Sequence, residues 1–134
     1  MKDCIFCKII NGDAPCYKIY EDPDTLAFLS IANDYYGHTL VIPKKHFESL
    51  LDADEKTTAS VMKAVQKISN HYVKNLGYDG VNVFVNNGEA SGQVVFHLHA
   101  HIAPRKKGVP HNWNTHTERD FKAEQQLLKL DPKF

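Results

Sequence analysis

The sequence predicts an α+β fold: a five-stranded antiparallel sheet with one long helix and short terminal helices. Short apolar runs bounded by turn residues predict the strands, and one long stretch with apolar residues at helical spacing predicts the helix. Apolar residues make up 43% of the 134 residues and charged residues 24%, as in ordinary globular proteins. We therefore expect one domain over residues 1–134.

The first half of the chain is predicted to contain a short helix and three strands. The helix covers residues 4–11. Residues 17–21 and 25–30 flank the turn sequence Asp22-Pro23-Asp24 and are expected to form a hairpin. A third strand over residues 38–42 ends before a proline, which cannot donate a hydrogen bond to a sheet.

The second half is predicted to contain the long helix, two strands and a short helix. The long helix spans residues 54–76. Residues 81–85 and 94–103 are expected to pair as a hairpin across a polar loop, and residues 118–130 to form the last helix. The apolar residues that recur at helical spacing along the long helix are Met62, Val65, Ile68, Tyr72 and Leu76.

Three histidines alternate with apolar residues in the last predicted strand. Because side chains alternate between the faces of a strand, His97, His99 and His101 are expected to share one solvent-facing surface. One metal ion cannot bind all three, because residues i and i+4 of a strand lie about 13 Å apart. Imidazole can act as a nucleophile, acid or base, so the row suits phosphoryl chemistry. The residues expected to cover the core instead are Val94, Phe96, Leu98, Ala100 and Ile102.

A further histidine and a polar loop are expected beside this row. His38 opens the third strand, and Asn86, Gly92 and Gln93 lie in the loop that leads into the histidine strand. Backbone N–H groups of a glycine-containing loop can bind phosphate oxygens. The alternative for these residues is a plain connecting loop.

Charge and cysteine content exclude several classes of protein. Sixteen Lys and Arg balance sixteen Asp and Glu, so the excess positive charge needed to follow a nucleic-acid backbone is missing. We expect neither a nucleic-acid nor a membrane partner, since no apolar stretch approaches the roughly 20 residues of a membrane helix. Three cysteines suit a reducing compartment better than a disulfide framework, and no signal peptide is apparent, so a cytoplasmic protein is expected.

The motifs resemble those of the histidine triad (HIT) family, whose three alternating histidines correspond to residues 97–103. The resemblance also includes residues 4–10, 26–28 and 37–46 and the pair Gly92-Gln93, and it covers about residues 3–105. Within the family, the chain is most similar to the Hint branch of bacterial type. Residues 106–134 are the variable tail. The resemblance implies a HIT-like fold and a homodimer whose two sheets join edge to edge into about ten strands.

The resemblance also implies an enzyme that binds a purine nucleotide and acts at the α-phosphate of AMP- or GMP-type conjugates, as a nucleoside phosphoramidase does. His99 would form a covalent histidyl-nucleotide that water hydrolyses. His101 and His38 would bind phosphate and assist proton transfer, with His97 in the same catalytic set. An acceptor should hold the other ring nitrogen of His99. The implied nucleotide-binding residues are Phe6, Ile9, Phe28, Ser30, Ile31, Asn86, Gly92, Gln93, His99 and His101.

Two positions depart from the Hint pattern. Ser30 stands where an aspartate usually binds the ribose hydroxyls, which replaces a charge-assisted hydrogen bond by a weaker neutral one. Val94 stands where many relatives carry Ser or Thr near the leaving group. We therefore expect altered nucleoside binding and slower turnover of amine-leaving substrates.

Cys4-x-x-Cys7 has metal-ligand spacing, and tetrahedral zinc needs two further ligands. The resemblance implies that His46 and His97 are those ligands and that the zinc is structural, because a closed four-ligand site cannot activate water. The alternative is two reduced cysteines that pack as small apolar residues. No organic cofactor is expected.

Three other functions stay open at this point. A dinucleoside polyphosphate hydrolase would use the same histidine chemistry on a different substrate. A regulatory module would bind the nucleotide without turnover. Zinc-dependent hydrolysis would require the metal in the reaction.

Overall fold

Five antiparallel strands in the order β1-β2-β3-β5-β4 form the central sheet. The structure, a computed structural model, describes residues 3–32, 34–109 and 119–130. Within these ranges the predicted fold class is confirmed. The strands are β1 (Lys18–Glu21), β2 (Thr25–Leu29), β3 (Thr39–Pro43), β4 (Gly80–Val85) and β5 (Ala100–Arg105), and the α-helices are α1 (Ile5–Ile10), α2 (Glu55–Asn70) and α3 (Phe121–Leu128). None of the helices in these ranges combines the length and apolar character needed to cross a bilayer.

The long helix α2 begins after Asp54, whose carboxylate accepts a hydrogen bond from the backbone N–H of Thr57 at 2.8 Å. A π-helical turn, His71–Asn75, continues it. Met62 has the predicted helical spacing but is 46% exposed, because Val61 occupies the first position of the buried stripe instead. The stripe that packs on the sheet comprises Val61, Ala64, Val65, Ile68 and Tyr72.

The sheet has an apolar core on each face, so every residue of β2 and β3 is buried and burial does not alternate along these strands. Ala27, Val41 and Ile102 face α2. Phe28 and Leu40 face the opposite side and pack with Phe6 of α1. On this second face β5 carries His101, whose direct neighbours across the ladders are Leu40 and Phe84. The fold therefore places His101 on the α1 side of the sheet.

Strand β5 is shorter than the predicted strand over residues 94–103. Its pairing with β4 starts at Val85 and Ala100, and residues 86–99 form a long connection between the two strands. Val94 is 84% exposed and Phe96 is 45% exposed, so the expectation that both cover the core is wrong. Leu98 is fully buried and packs in the core that faces α2, so the predicted alternation holds from Leu98 onward but fails at Val94 and Phe96.

The C-terminal helix α3 begins at Phe121 rather than at residue 118, and residues 110–118 of the predicted tail lie outside the described part of the chain. A fully buried ion pair joins Arg119 to Glu124, with Nη2 and Oε1 2.8 Å apart. The same carboxylate accepts a hydrogen bond from the backbone N–H of Gly37 at 2.8 Å. Only glycine suits that position, because its φ is +77° and a Cβ would lie 2.7 Å from Pro104 Cγ.

Replacing Glu124 with glutamine is expected to lower the free energy of unfolding by about 3 kcal/mol, because it removes the nearer of the two carboxylates that balance the buried Arg119 charge and leaves only Asp34, 3.6 Å away. Urea unfolding measures this loss. Glu21→Gln is the matched control: Glu21 forms an exposed ion pair with Lys18, so it should cost about 1 kcal/mol or less. Equal losses in the two variants would contradict the expectation that the buried Arg119–Glu124 ion pair is needed for stability.

Candidate active site

An open cavity of about 770 Å³ lies on the α1 side of the sheet, within the size range of small-molecule sites. The predicted nucleotide-binding residues that line the cavity are Phe6, Ile9, Phe28, Ser30, Ile31, Asn86, Gly92, His99 and His101, and His38 and Val94 join them. Cys16 and Leu40, which were not predicted, also line it. Residues from four separate stretches of sequence thus converge on one cavity.

The His99 ring is held in one tautomer. Its Nδ1 lies 2.7 Å from the backbone carbonyl oxygen of His97. A carbonyl can only accept, so Nδ1 carries the proton and Nε2 has a free lone pair. Burial lowers the pKa of His99, and the charge of nearby His38 lowers it further. This is the acceptor contact that the sequence analysis expected.

His101 and His38 form a hydrogen-bonded pair beside His99. His38 Nε2 lies 2.9 Å from His101 Nδ1. The His101 ring stacks on Phe84 with centroids 4.3 Å apart and planes 6° from parallel. Its Nε2 is buried, with no hydrogen-bond partner among the residues that the structure describes. A buried nitrogen of this kind, on a ring that lines a cavity, is suited to bind a ligand.

Acid is expected to destabilise the protein through His101. Burial, together with the charges of His99 and His38, lowers the pKa of His101 to about 3, below the usual value of about 6.5. Between these values the unfolded chain binds a proton that the folded chain does not, so the stability contribution is present above about pH 6.5 and is lost as pH falls through this window.

The measurement is urea unfolding of wild type and His101→Gln at about pH 7 and about pH 5. Wild type should lose up to about 1.4 kcal/mol more per pH unit than the variant. The variant is needed because acidic residues also titrate toward the lower pH. Parallel pH dependences would contradict a buried neutral His101.

His97 does not share the cavity with the other two histidines, so the expectation of one solvent-facing surface is wrong. The residue is fully buried. Its Nδ1 lies 3.4 Å from Cys4 Sγ and 3.1 Å from His46 Nδ1. His97 lies on the same α1 side of the sheet as His99, since the Phe6 ring is 5.9 Å from the His97 ring and 5.2 Å from the His99 ring, but α1 covers it. The backbone carbonyl of His97, rather than its ring, contacts the His99 ring.

The ring of His97 belongs to a candidate metal site. One ligand atom from each of Cys4, Cys7, His46 and His97 lies within 4.8 Å of the others. Tetrahedral zinc with ordinary bond lengths requires sulfur–nitrogen distances of about 3.5 Å, and Cys7 Sγ lies 3.3 Å from His46 Nδ1 and 3.6 Å from His97 Nδ1.

The tautomer of His97 also fits a metal. Its Nε2 lies 2.8 Å from the carbonyl oxygen of Pro43, so Nε2 donates the proton and Nδ1 keeps its lone pair for an ion. The donor set, and the distances that join the two histidine nitrogens to the cysteine sulfurs and to each other, fit tetrahedral coordination.

Gln93 was predicted to bind nucleotide, but its side chain holds the loop instead. Its Nε2 donates to the carbonyl oxygens of Glu48 at 2.6 Å and Val95 at 3.0 Å, and its Oε1 accepts from the backbone N–H of Gly88 at 2.8 Å. Both polar groups of the side chain are thus engaged with the backbone, and its binding of a nucleotide stays a prediction.

Three residues that support the histidines were not predicted from the sequence. Asp34 Oδ2 lies 2.8 Å from His38 Nδ1, and the available signal was an acidic residue four positions before a candidate histidine. Phe84 lies opposite His101 because of the register between β4 and β5, and the sequence does not reveal that register. Arg119 contacts the loop before His38, and no local pattern predicts that contact.

Two relatives have named activities. Adenylylsulfatase HINT3 from Arabidopsis thaliana is 48% identical over 105 residues, which are 78% of this chain and 53% of that protein, so this chain spans about half of it. Adenosine 5'-monophosphoramidase hnt1 from Schizosaccharomyces pombe is 42% identical over 102 residues, 76% of this chain and 74% of that protein.

Solved structures and a family model agree with these relatives. A Zn-bound histidine triad family protein from Mycobacterium smegmatis superimposes with a TM-score of 0.86 at 38% identity, covering 96% of this chain and 91% of that one. The HIT domain model matches residues 11–108. With the triad, the cavity and the Cys/His cluster in place, the chain belongs to the HIT domain family.

Proposed function

We propose that the protein is a nucleotide hydrolase or transferase that acts at the α-phosphate of nucleoside monophosphate conjugates, above all adenosine phosphoramidates. The observation that carries this proposal is the His99 ring in the cavity, with Nδ1 held by the His97 carbonyl and Nε2 free to attack. The two relatives with named activities, an adenylylsulfatase and an adenosine monophosphoramidase, support an adenylyl group as the part that is transferred.

The reaction would proceed in two displacements at phosphorus. In the first, His99 Nε2 forms a bond to phosphorus while the bond to the leaving amine breaks, and the amine departs with a proton supplied through His101. In the second, water forms a bond to phosphorus, the His99–phosphorus bond breaks, and the proton released by water returns to His101. Atoms and protons balance, and the products are AMP and the amine.

The cavity walls suit a nucleoside. Phe6, Ile9 and Phe28 supply apolar surface for a base, while Ser30 and Asn86 supply polar groups. Ser30 offers the ribose only a neutral hydroxyl, so ribose recognition should be weaker than with a carboxylate. Val94 lines the cavity with an aliphatic side chain and can give no proton to a leaving group, so that task falls to the histidines.

We propose that zinc binds Cys4, Cys7, His46 and His97 and fixes the segment that leads to His99. Four protein ligands close the coordination shell, so the ion would be structural. It would stabilise the His97 backbone, whose carbonyl orients the attacking ring.

A homodimer is a further part of the proposal. Strand β4 lies at one edge of the sheet, where its outer backbone groups can pair with a second copy. Val83 on this strand is 39% exposed. Analytical ultracentrifugation should give twice the chain mass, and a monomer at all concentrations would rule the dimer out.

The test of the function is incubation of the purified protein with adenosine 5'-phosphoramidate, with AMP and ammonia release followed over time. We expect AMP and ammonia to appear in equal amounts. A protein that binds AMP but turns over neither this substrate nor other AMP conjugates would be a nucleotide-binding module, and the enzymatic proposal would be wrong.

A further inference from the structure

A row of hydrogen-bonded groups runs from Asp34 into the cavity. The Asp34 carboxylate accepts from His38 Nδ1 at 2.8 Å, and His38 Nε2 is 2.9 Å from His101 Nδ1. The side chain of His38 is 7% exposed and that of Asp34 is 21% exposed, so water screens the row only partly. The far end, His101 Nε2, has no partner within the described ranges.

We propose that Asp34 is a positioning residue for the reaction: it holds His38 in the orientation that lets the His38–His101 pair carry the proton for the leaving group. This inference rests on the proposed function. It assigns to Asp34 a role that acts only through His38.

The proton balance of the row explains why a carboxylate is required. With Asp34 ionised, His38 keeps its proton on Nδ1. When His101 Nε2 takes up a proton, the proton on His101 Nδ1 can pass to His38 Nε2, and the positive charge then lies on His38 beside the carboxylate. In the first displacement these transfers run in reverse, and His101 gives the proton from Nε2 to the amine as its bond to phosphorus breaks.

Asp34 remains charged under neutral conditions. Although burial raises its pKa, the hydrogen bond and charge of His38, the backbone N–H of Tyr35 and the charge of Arg119 together hold the pKa of Asp34 below its ordinary value. Arg119 Nη1 lies 3.6 Å from Asp34 Oδ1. The carboxylate is therefore available as a fixed negative charge for His38.

Ring packing fixes the same geometry. Tyr35 stacks on His38, with centroids 4.3 Å apart, and Phe84 stacks on His101 at the same distance. The His38 and His101 centroids lie 5.1 Å apart with planes 28° from parallel, as expected for two rings joined edge to edge by their hydrogen bond. The two imidazoles thus cannot rotate independently, and the hydrogen bond to Asp34 sets which nitrogen faces which.

The segment that carries Asp34 is tied to the C-terminal part of the chain. Arg119 Nη1 donates to the carbonyl oxygens of Ser30 at 2.6 Å and Ala32 at 2.8 Å. Glu124, the buried partner of Arg119, accepts from the backbone N–H of Gly37, next to His38. The backbone on both sides of Asp34 is therefore anchored by one buried ion pair, as a positioning role requires.

The experiment compares Asp34→Asn with wild type on two AMP conjugates. The amine of adenosine 5'-phosphoramidate needs a proton to leave, whereas the p-nitrophenolate of the AMP p-nitrophenyl ester leaves without one. We expect Asp34→Asn to lower kcat/KM by about 10- to 100-fold on the phosphoramidate and by less than about threefold on the ester. Asp24→Asn, the same change in an exposed turn, should affect neither.

A double-mutant cycle tests whether Asp34 acts through His38. In a His38→Gln background, Asp34→Asn should cause no further loss, because the group it positions is gone. Equal losses on both substrates, no loss on the phosphoramidate, or a full additional loss in the His38→Gln background would overturn the inference. Thermal melting and AMP binding of each variant identify misfolding. If Asp34→Asn misfolds, Asp34→Glu, which keeps the charge, replaces it and should be more active than His38→Gln.

The two proposals fail in different ways. If wild type does not turn over either AMP conjugate, the proposed function is wrong and the question of Asp34 falls with it. If wild type is active and His99→Ala is not, the function stands, and the Asp34 variants alone decide the inference.

Discussion

Replacing His99 with alanine is expected to lower kcat/KM for adenosine 5'-phosphoramidate by about 10⁴-fold or more, since nucleophile removal in comparable enzymes costs at least this much. No other imidazole in the described part of the chain lines the cavity with its Nδ1 held by a backbone carbonyl. AMP binding should change by less than about tenfold, because the apolar walls contribute to binding and stay intact.

The control for this prediction is His71→Ala. His71 is 8% exposed and His99 is 7% exposed, so the two substitutions remove the same ring from equally buried positions. His71 lies on the π-helical turn after α2 and is not part of the cavity lining. We expect near wild-type kcat/KM for the folded control. A His99→Ala protein as active as His71→Ala would remove His99 as the nucleophile.

Loss of the metal is expected to produce the largest change in stability. Cys7→Ala removes one of four ligands, and a ligand present at 1,000 times its Kd contributes about 4 kcal/mol to folding. The melting temperature should fall by on the order of 10 °C. Chelation of wild type with a strong zinc chelator should give a similar shift, and elemental analysis should find one zinc per chain before chelation and none after it.

Cys16→Ala is the matched variant for the zinc prediction. Cys16 packs against the same apolar cluster as Cys4 but does not belong to the group of four ligand atoms, so its loss should cost about 1 kcal/mol and leave the zinc content unchanged. Chelated protein that is still folded should keep residual turnover, because the ion takes no part in the reaction, but less than wild type, because the His97 carbonyl that orients His99 is held less firmly. Equal melting temperatures for Cys7→Ala and Cys16→Ala would contradict a structural zinc site.

The sequence predicted the parts of the site that depend on local pattern. Alternation within β5 puts Ala100 and Ile102 in the core and His101 on the other face, as expected. The pattern failed upstream of Leu98, where Val94 and Phe96 are exposed. Apolar residues at every second position look the same in a strand and in an extended connection, so the sequence alone could not locate the start of the strand.

The remaining parts depend on contacts between distant segments. Arg119 reaches the carbonyl of Ser30 across 89 positions in the chain, and Cys4 approaches His97 across 93. The family resemblance implied the second contact through the zinc ligands it assigns, whereas no motif accompanies the first. The motif position of Gln93 gives the residue type but not the direction of the side chain, which its three hydrogen bonds to backbone groups determine.

A covalent bond between His99 and the nucleotide is the central claim, and trapping it is the most direct test. Wild type mixed with adenosine 5'-phosphoramidate and quenched within milliseconds in denaturing alkali should yield, by mass spectrometry, a peptide that carries one adenylyl group on His99. The His99→Ala protein should yield none. An adenylyl group on another residue, or rapid turnover with no adenylylated peptide at any time point, would contradict nucleophilic catalysis by His99.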